Sequence, residues 1–325
     1  MEVLPQFDLY RPRSLAEAAE LLAAHPDSKV LGGGTDLITN LRHGLGSPRA
    51  LVDLTGIDGF DRLECSAQGL KLGAGVRLAQ LAGDVTLQQV FPAIAEAAKS
   101  IAGPAHRNIA TVGGNLCLDT RCVFYNQAEW WRKANDYCLK YRGDICHVAP
   151  TGKRCQAAYS GDLAPALLAL GASVDVVAAA GTRTLPLAEI YQEDGAHYLR
   201  LAAGEFLASV SVPAPVAGLR CAYRKSRVRA AVDFPLAGVA VALVSEAGVL
   251  KHLAIALTGT NSRPFLLAGT QELLGKPADE ATLKVIEKLV QKQVTPMRTT
   301  VTASNYRRVV AGVTARRLVQ ELVRG

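Results

Sequence analysis

Hydrophobic positions along this chain follow two periods. In SLAEAAELLAAH (14–25), Leu15, Ala18, Leu21 and Leu22 fall on one helical face, and Ser14 is placed to cap the first turn. QVFPAIAEAAKSIA (89–102) predicts a second amphipathic helix. Between them, Lys29–Leu31 reads as a short buried strand, ALVDLTGI (50–57) as another, and GLKLGAGVRLAQL (69–81) as strand, turn and helix start. RNIATVGGNLCLD (107–119) reads as a glycine-bearing, strand-like run, and SGDLAPALLALGASVDVVA (160–178) as a capped helix and a strand.

From 197 onward the period shortens to two. HYLRLAAGEFLASVSVP, LRCAYRKSR, FPLAGVAVALVS and VLKHLAIALTG predict successive strands. After about residue 264, PFLLAGTQELLG, EATLKVIEKLVQKQV and YRRVVAGVTARRLVQELV predict helices. The expected class is α+β: two small α/β lobes, then an antiparallel sheet flanked by helices.

Composition narrows the setting. Apolar residues make up 49% and charged residues 20%, which is enough to build a sizeable core. The start shows no basic segment leading into an apolar run, and no uncharged apolar stretch reaches the ~18 residues of a membrane span. These features predict a cytoplasmic protein without a membrane anchor, whose thiols are reduced and available to metals. A net charge of +7, with no concentrated basic stripe, predicts no nucleic-acid partner.

Two glycine loops carry the first candidate chemistry. KVLGGGTDL (29–37) places three glycines after a strand, where successive N–H groups make a concavity suited to a pyrophosphate. ATVGGNL (110–116) repeats the theme with paired glycines and a polar donor. Neither loop is a dinucleotide-fold fingerprint or a P-loop. Each read alone is equally a tight turn, but together they suit a dinucleotide held between two lobes.

The pair LGGGTDL and TVGGNLC, at this separation, resembles the FAD-binding subunits of the molybdenum hydroxylases, the xanthine oxidase and carbon monoxide dehydrogenase family. FDLYRPRSLAEAAELL, SRPFLLAGTQELLGKP and YRRVVAGVTARRLV agree with it. The resemblance implies a two-lobed FAD domain of the vanillyl-alcohol-oxidase type at 1–216 and a smaller C-terminal domain at 217–325. It implies that Lys29, Val30, Leu31, Gly32, Gly33, Gly34, Thr35, Asp36 and Leu37 wrap the pyrophosphate. Ile101, Ala102, Gly103, Thr111, Gly113, Gly114, Asn115 and Cys117 would line the cofactor. Asp162 matches the aspartate of the ribose or adenine end, while Leu207 and Lys225 match positions beside the flavin ring, Arg224 being the alternative to Lys225. The implied partners are a large molybdenum-cofactor subunit and a small [2Fe–2S] subunit, in a dimer of heterotrimers.

The chain departs from that family at one place. Its members run from TVGGN almost directly into the segment that SGDLAPALLAL matches, so residues from about 120 to 157 read as an insertion. It holds Cys122, Cys138, Cys146 and Cys155, spaced C-x15-C-x7-C-x8-C, and both tryptophans. Buried free thiols, a structural zinc and a [4Fe–4S] cluster all remain open on spacing. Buried thiols fit poorly with a segment carrying Lys133, Lys140, Arg142 and Lys153, and a flavin neighbour favours the cluster. His147 reads as a solvated loop residue, and Trp130 and Trp131 as packing that shields the cluster. A similar elaboration marks one branch of the family, the flavoprotein subunits of 4-hydroxybenzoyl-CoA reductases. That likeness implies ferredoxin as donor and electron flow through the cluster and FAD toward the partner's [2Fe–2S] clusters and molybdenum. An NAD-linked hydroxylase subunit with a zinc-stapled loop, or a nucleotide-binding scaffold, are the other readings.

Overall fold

A computed structural model describes residues 4–325. The first lobe is a three-stranded parallel sheet with its helices: β1 (Asp8–Tyr10), α1 (Leu15–Ala24), β2 (Ser28–Leu31), α2 (Leu37–Arg42) and β3 (Ala50–Asp53). Ser14 caps α1 as expected, its hydroxyl accepting from the Glu17 N–H at 3.1 Å. The strand order is β1-β3-β2, so β3 is the buried centre and β2 an edge. The expectation of a buried strand before the glycines is therefore corrected. Lys29 and Val30 are exposed, because β2 pairs on one side only.

The second lobe comprises β4 (Leu63–Ser66), β5 (Gly69–Gly73), α3 (Leu78–Gly83), α4 (Val85–Val90), α5 (Pro92–Ser100), α6 (Pro104–Arg107), α7 (Val112–Leu116), α8 (Glu129–Ala134), α9 (Leu163–Ala169), β6 (Ser173–Ala178), β7 (Gly181–Pro186) and β8 (Phe206–Pro213). Its sheet, β4-β5-β8-β6-β7, is antiparallel throughout, so this lobe is not α/β. The single helix expected at 89–102 is two helices, since Pro92 brings no N–H to continue α4 and instead opens α5. The run expected to be strand-like at 107–119 folds into the short α7, capped when the Thr111 hydroxyl accepts from the Gly114 N–H at 3.1 Å.

The C-terminal part holds β9 (Arg220–Ser226), β10 (Ala237–Glu246), β11 (Val249–Thr258), β12 (Phe265–Leu266), α10 (Glu280–Gln293) and α11 (Ser304–Arg324), with strand order β12-β11-β10-β9. PFLLAGTQELLG is a two-residue strand and a 3₁₀ turn rather than a helix, punctuated by Gly269 at φ 85°. The β10 alternation is segregated by size. Val239, Val241 and Leu243 pack with Ile286, Val290, Leu318 and Val319 of α10 and α11. Ala240 and Ala242 belong to the main core shared with the first two lobes, which includes α9.

Residues 121–158 leave and rejoin the body at one point. Arg121 and Ala158 pair backbone to backbone at 2.7 and 2.8 Å. The segment has its own small core, in which Cys122, Tyr125, Cys155 and Ala157 are buried with Leu45 of the first lobe. Among the described residues, no helix is long and apolar enough to cross a membrane.

Candidate functional site

The two glycine loops meet. A side chain at Gly33 would run into the Ile109 carbonyl, and one at Gly32 would come within 2.8 Å of the Thr111 hydroxyl oxygen. Gly34 turns the chain at φ 74°, in the left-handed region where only glycine is unstrained. Among the described residues, the N–H groups of Gly33, Gly34, Thr35 and Asp36 donate to no acceptor. Four free donors in succession on a concave turn fit the oxygens of a pyrophosphate. Lys29, Val30 and Leu31 lead into this turn and Leu37 starts α2.

The second loop is built differently. The Gly113 N–H bonds the Ala74 carbonyl at 2.8 Å, and a Cβ there would sit 2.9 Å from the Ala74 Cβ. The Asn115 side-chain oxygen accepts from the Leu163 N–H at 3.1 Å, tying the loop to α9. Tyr159 and Tyr191 donate to the Leu116 carbonyl, both at 3.0 Å, and Tyr198 to that of Cys117 at 2.6 Å. The second loop is thus a braced wall whose polar groups are largely spent on the fold. Burial pushes the Cys117 thiol up to about 12, which keeps it neutral.

Asp162 and Lys225 form a buried charged pair. Lys225 Nζ lies 2.9 Å from an Asp162 oxygen and 3.3 Å from the Ser100 carbonyl, and Tyr223 donates to the other Asp162 oxygen at 2.6 Å. Both charged side chains are almost wholly buried. Burial pushes the Asp162 carboxyl up, and Lys225 pulls it back down. Arg224 points elsewhere, to Glu96 and Glu321 at 3.2 Å, so Lys225 is the residue turned toward Asp162. Ile101, Ala102 and Gly103 follow Ser100, and Ala102 takes a positive φ of 44°. Leu207 is buried on β8, beside Ala208, whose carbonyl bonds Ala74 behind the second loop.

Residues 5–215 match the model of the FAD binding domain in molybdopterin dehydrogenase, and residues 221–322 that of the CO dehydrogenase flavoprotein C-terminal domain. The chain belongs to the molybdenum hydroxylase FAD-subunit family. It is 31% identical over 282 residues to the aldehyde oxidoreductase FAD-binding subunit PaoB of Escherichia coli, covering 84% of this chain and 87% of that one. The carbon monoxide dehydrogenase medium chain of Afipia carboxidovorans is 27% identical over 316 residues, 97% and 96% of the two chains. The crystal structure of Cu,Mo-CO dehydrogenase in its cyanide-inactivated form superposes with a TM-score of 0.81 at 25% identity, over 99% of each chain. Like those flavoproteins, the chain is a subunit of an oxidoreductase.

Within this FAD-subunit framework the four cysteines of 121–158 converge. Cys122, Cys138, Cys146 and Cys155 line one small cavity with Phe124, Tyr125 and Lys140. Three are buried and Cys138 is half-buried, so the basic segment does bury its thiols. It manages this because Lys140 turns inward, bonding Asp119 at 2.6 Å and the Thr120 carbonyl at 3.0 Å, while Lys133, Arg142 and Lys153 stay outside. Burial pushes Cys155 up to about 12 and raises Cys122 as well. Among the described residues, no three His, Cys, Asp or Glu side chains are gathered for one metal ion. A zinc site needs its sulfurs ~2.3 Å from a single point, whereas a cluster spreads four thiolates over four irons.

Other expectations for the segment divide. Trp131 packs near Phe124 at 6.3 Å between ring centroids, but Trp130 is 71% exposed and shields nothing. His147 packs against Phe124, tilted, at 5.3 Å between ring centroids and bonds the Tyr137 carbonyl, so it is a packed residue rather than a solvated one. Asp119, Arg121 and Arg132 belong to no motif in the sequence, yet each makes an ion pair or hydrogen bond here. Arg121 pairs with Asp36 of the first glycine loop, and the buried Arg132 pairs with Glu129 at 2.7 Å. The signal available was charge inside a cysteine-bearing insertion, which reads equally as solvated surface.

Proposed function

We propose that this chain is the flavin-bearing electron-entry subunit of a heteromeric molybdenum enzyme of the 4-hydroxybenzoyl-CoA reductase type. It takes electrons from ferredoxin and passes them toward a small [2Fe–2S] subunit and a large molybdenum subunit, in a dimer of heterotrimers. The observation that carries the reading is the convergence of Cys122, Cys138, Cys146 and Cys155 on one cavity. Bound to this chain, a [4Fe–4S] cluster and FAD supply electron transfer, and the aromatic substrate is handled by the partner.

The chain's own residues do the holding. The free N–H row of Gly33 to Asp36 donates to the pyrophosphate oxygens, and Gly32 lets the two loops close. Lys225 sets a cation beside the flavin ring, with Asp162 fixing its position. The FAD domain spans 1–216 with the cysteine module set into it, and 217–325 braces the ring end from behind.

Metal and acid-labile sulfide analysis of the purified chain, with an EPR spectrum after reduction, tests the reading. Four irons with sulfide are expected. Cys138→Ser should keep FAD but accept electrons from ferredoxin far more slowly. Zinc without sulfide would instead return the chain to an NAD-linked hydroxylase subunit, as would normal ferredoxin reduction of Cys138→Ser.

A further inference from the structure

The cysteine cavity and the first glycine loop share a single ionic hub. Lys140 and Tyr125 both line the cavity, and each binds one oxygen of Asp119, at 2.6 and 3.1 Å. The Asp119 N–H reaches Asp36 at 3.4 Å. Two residues on, Arg121 pairs with the same Asp36 and bonds Asn40 at 3.3 Å. Asp36 supplies the last free N–H of the glycine loop and leads into α2.

Both ends of this ladder adjoin metal-ligand candidates. Arg121 precedes Cys122, and Lys140 shares the tight turn in which Tyr141 donates to the Cys138 carbonyl at 2.8 Å. The side chains of Lys140, Arg121, Asp36 and Asp119 are 6, 18, 22 and 23% exposed, so these pairs escape most of the screening that weakens surface ion pairs. Lys140 spends its donors on Asp119 and Thr120, so it faces the cavity as a fixed charge.

We propose that Asp119 is a positioning residue that couples the two sites, so that filling the cysteine cavity tightens the hold of the first glycine loop on FAD. The proposal rests on the cavity taking a metal group and on the flavin reading of the loop. A group pinned by Cys122 and Cys138 fixes Arg121 and Lys140, and Asp119 transmits that order to Asp36. Linkage makes the effect reciprocal: bound FAD protects the cysteines.

The test uses the full chain. The FAD dissociation constant is measured before and after a chelator removes the bound metal. Thiol labelling of Cys122, Cys138, Cys146 and Cys155 is followed by mass spectrometry with and without FAD. Metal removal should weaken FAD about fivefold or more, and FAD should slow labelling by a comparable factor. In Asp119→Asn both ratios should fall to about one, with metal and FAD still bound. Should that variant not fold, Lys140→Met breaks the same ladder from the cavity side. Equal FAD affinity in the loaded and stripped wild-type chain overturns the coupling. Metal identity, read separately, decides the cluster proposal. A chain that binds no metal overturns the cluster proposal and the coupling with it, whereas a loaded chain with unchanged FAD affinity overturns the coupling alone.

Discussion

Asp162 and Lys225 lie 63 residues apart, on either side of the junction between the two matched domains, yet they are buried against each other. Such a pair contributes little relative to an apolar one but is costly to break, because the surviving charge stays buried. Lys225→Met should therefore destabilise the chain by about 3–5 kcal/mol at neutral pH. The pH dependence has a definite sign. Burial raises the Asp162 carboxyl above its ordinary range, so the folded chain holds that proton more tightly than the unfolded one. The associated stability is full at low pH and is lost as pH rises through the raised value. Lys225 is the largest opposing influence, so its removal moves the loss to higher pH. Urea denaturation should show the defect shrinking from pH 8 to pH 5, and a defect of equal size at both would refute the assignment. At this scale the sequence marks both residues as candidates but not their pairing. Nothing in SGDLAP or YRKSR encodes which distant partner each finds.

At the scale of elements, the helices α1, α10 and α11 were legible because each has a long apolar stripe, and α1 has its cap. The misses share a physical cause. In α7, a capping hydroxyl and two glycines produced a helix too short to show a period. In 264–275, Gly269 ended a helical-looking pattern before one turn was complete. The cysteine module was legible as an insertion through its composition, but its inward Lys140 was not. The base of the module makes a further prediction. Because Arg121 and Ala158 are already paired, a two-residue Asn-Gly turn can replace 122–157 without stretching the chain. The main core contains no residue from that segment, so the shortened chain should fold and stay yellow. It should hold no metal, and it should bind FAD about fivefold more weakly, having lost Lys140 and Tyr125. Circular dichroism and flavin titration measure both. An unfolded product would mean that the module is integral to the FAD domain rather than set upon it.

For the whole molecule, the sheet of β9 to β12 is the decisive partition, because its two faces serve different cores. The face bearing Val239, Val241 and Leu243 closes on α10 and α11. The face bearing Ala240 and Ala242 shares a core with Tyr223, α9 and the FAD lobe, and the small residues let the sheet approach closely. Lys225 and Tyr223 ride on β9, paired directly to β10 at Gly238 and Ala240, so the spacing of this face sets how they reach Asp162. Substitutions one residue apart should therefore have different consequences. Ala242→Leu adds bulk between sheet and FAD lobe, costing about 1–3 kcal/mol and displacing β9 from Asp162. Val241→Ala leaves a cavity beneath the helices, at a cost of about 2 kcal/mol, without moving that face. Both variants should melt earlier than the parent chain, but only Ala242→Leu should release FAD more readily. Flavin dissociation measured on both, at matched loss of stability, separates the effects. If Val241→Ala weakened FAD to the same degree, the C-terminal sheet would act on the flavin cleft through overall stability and not through the position of Lys225.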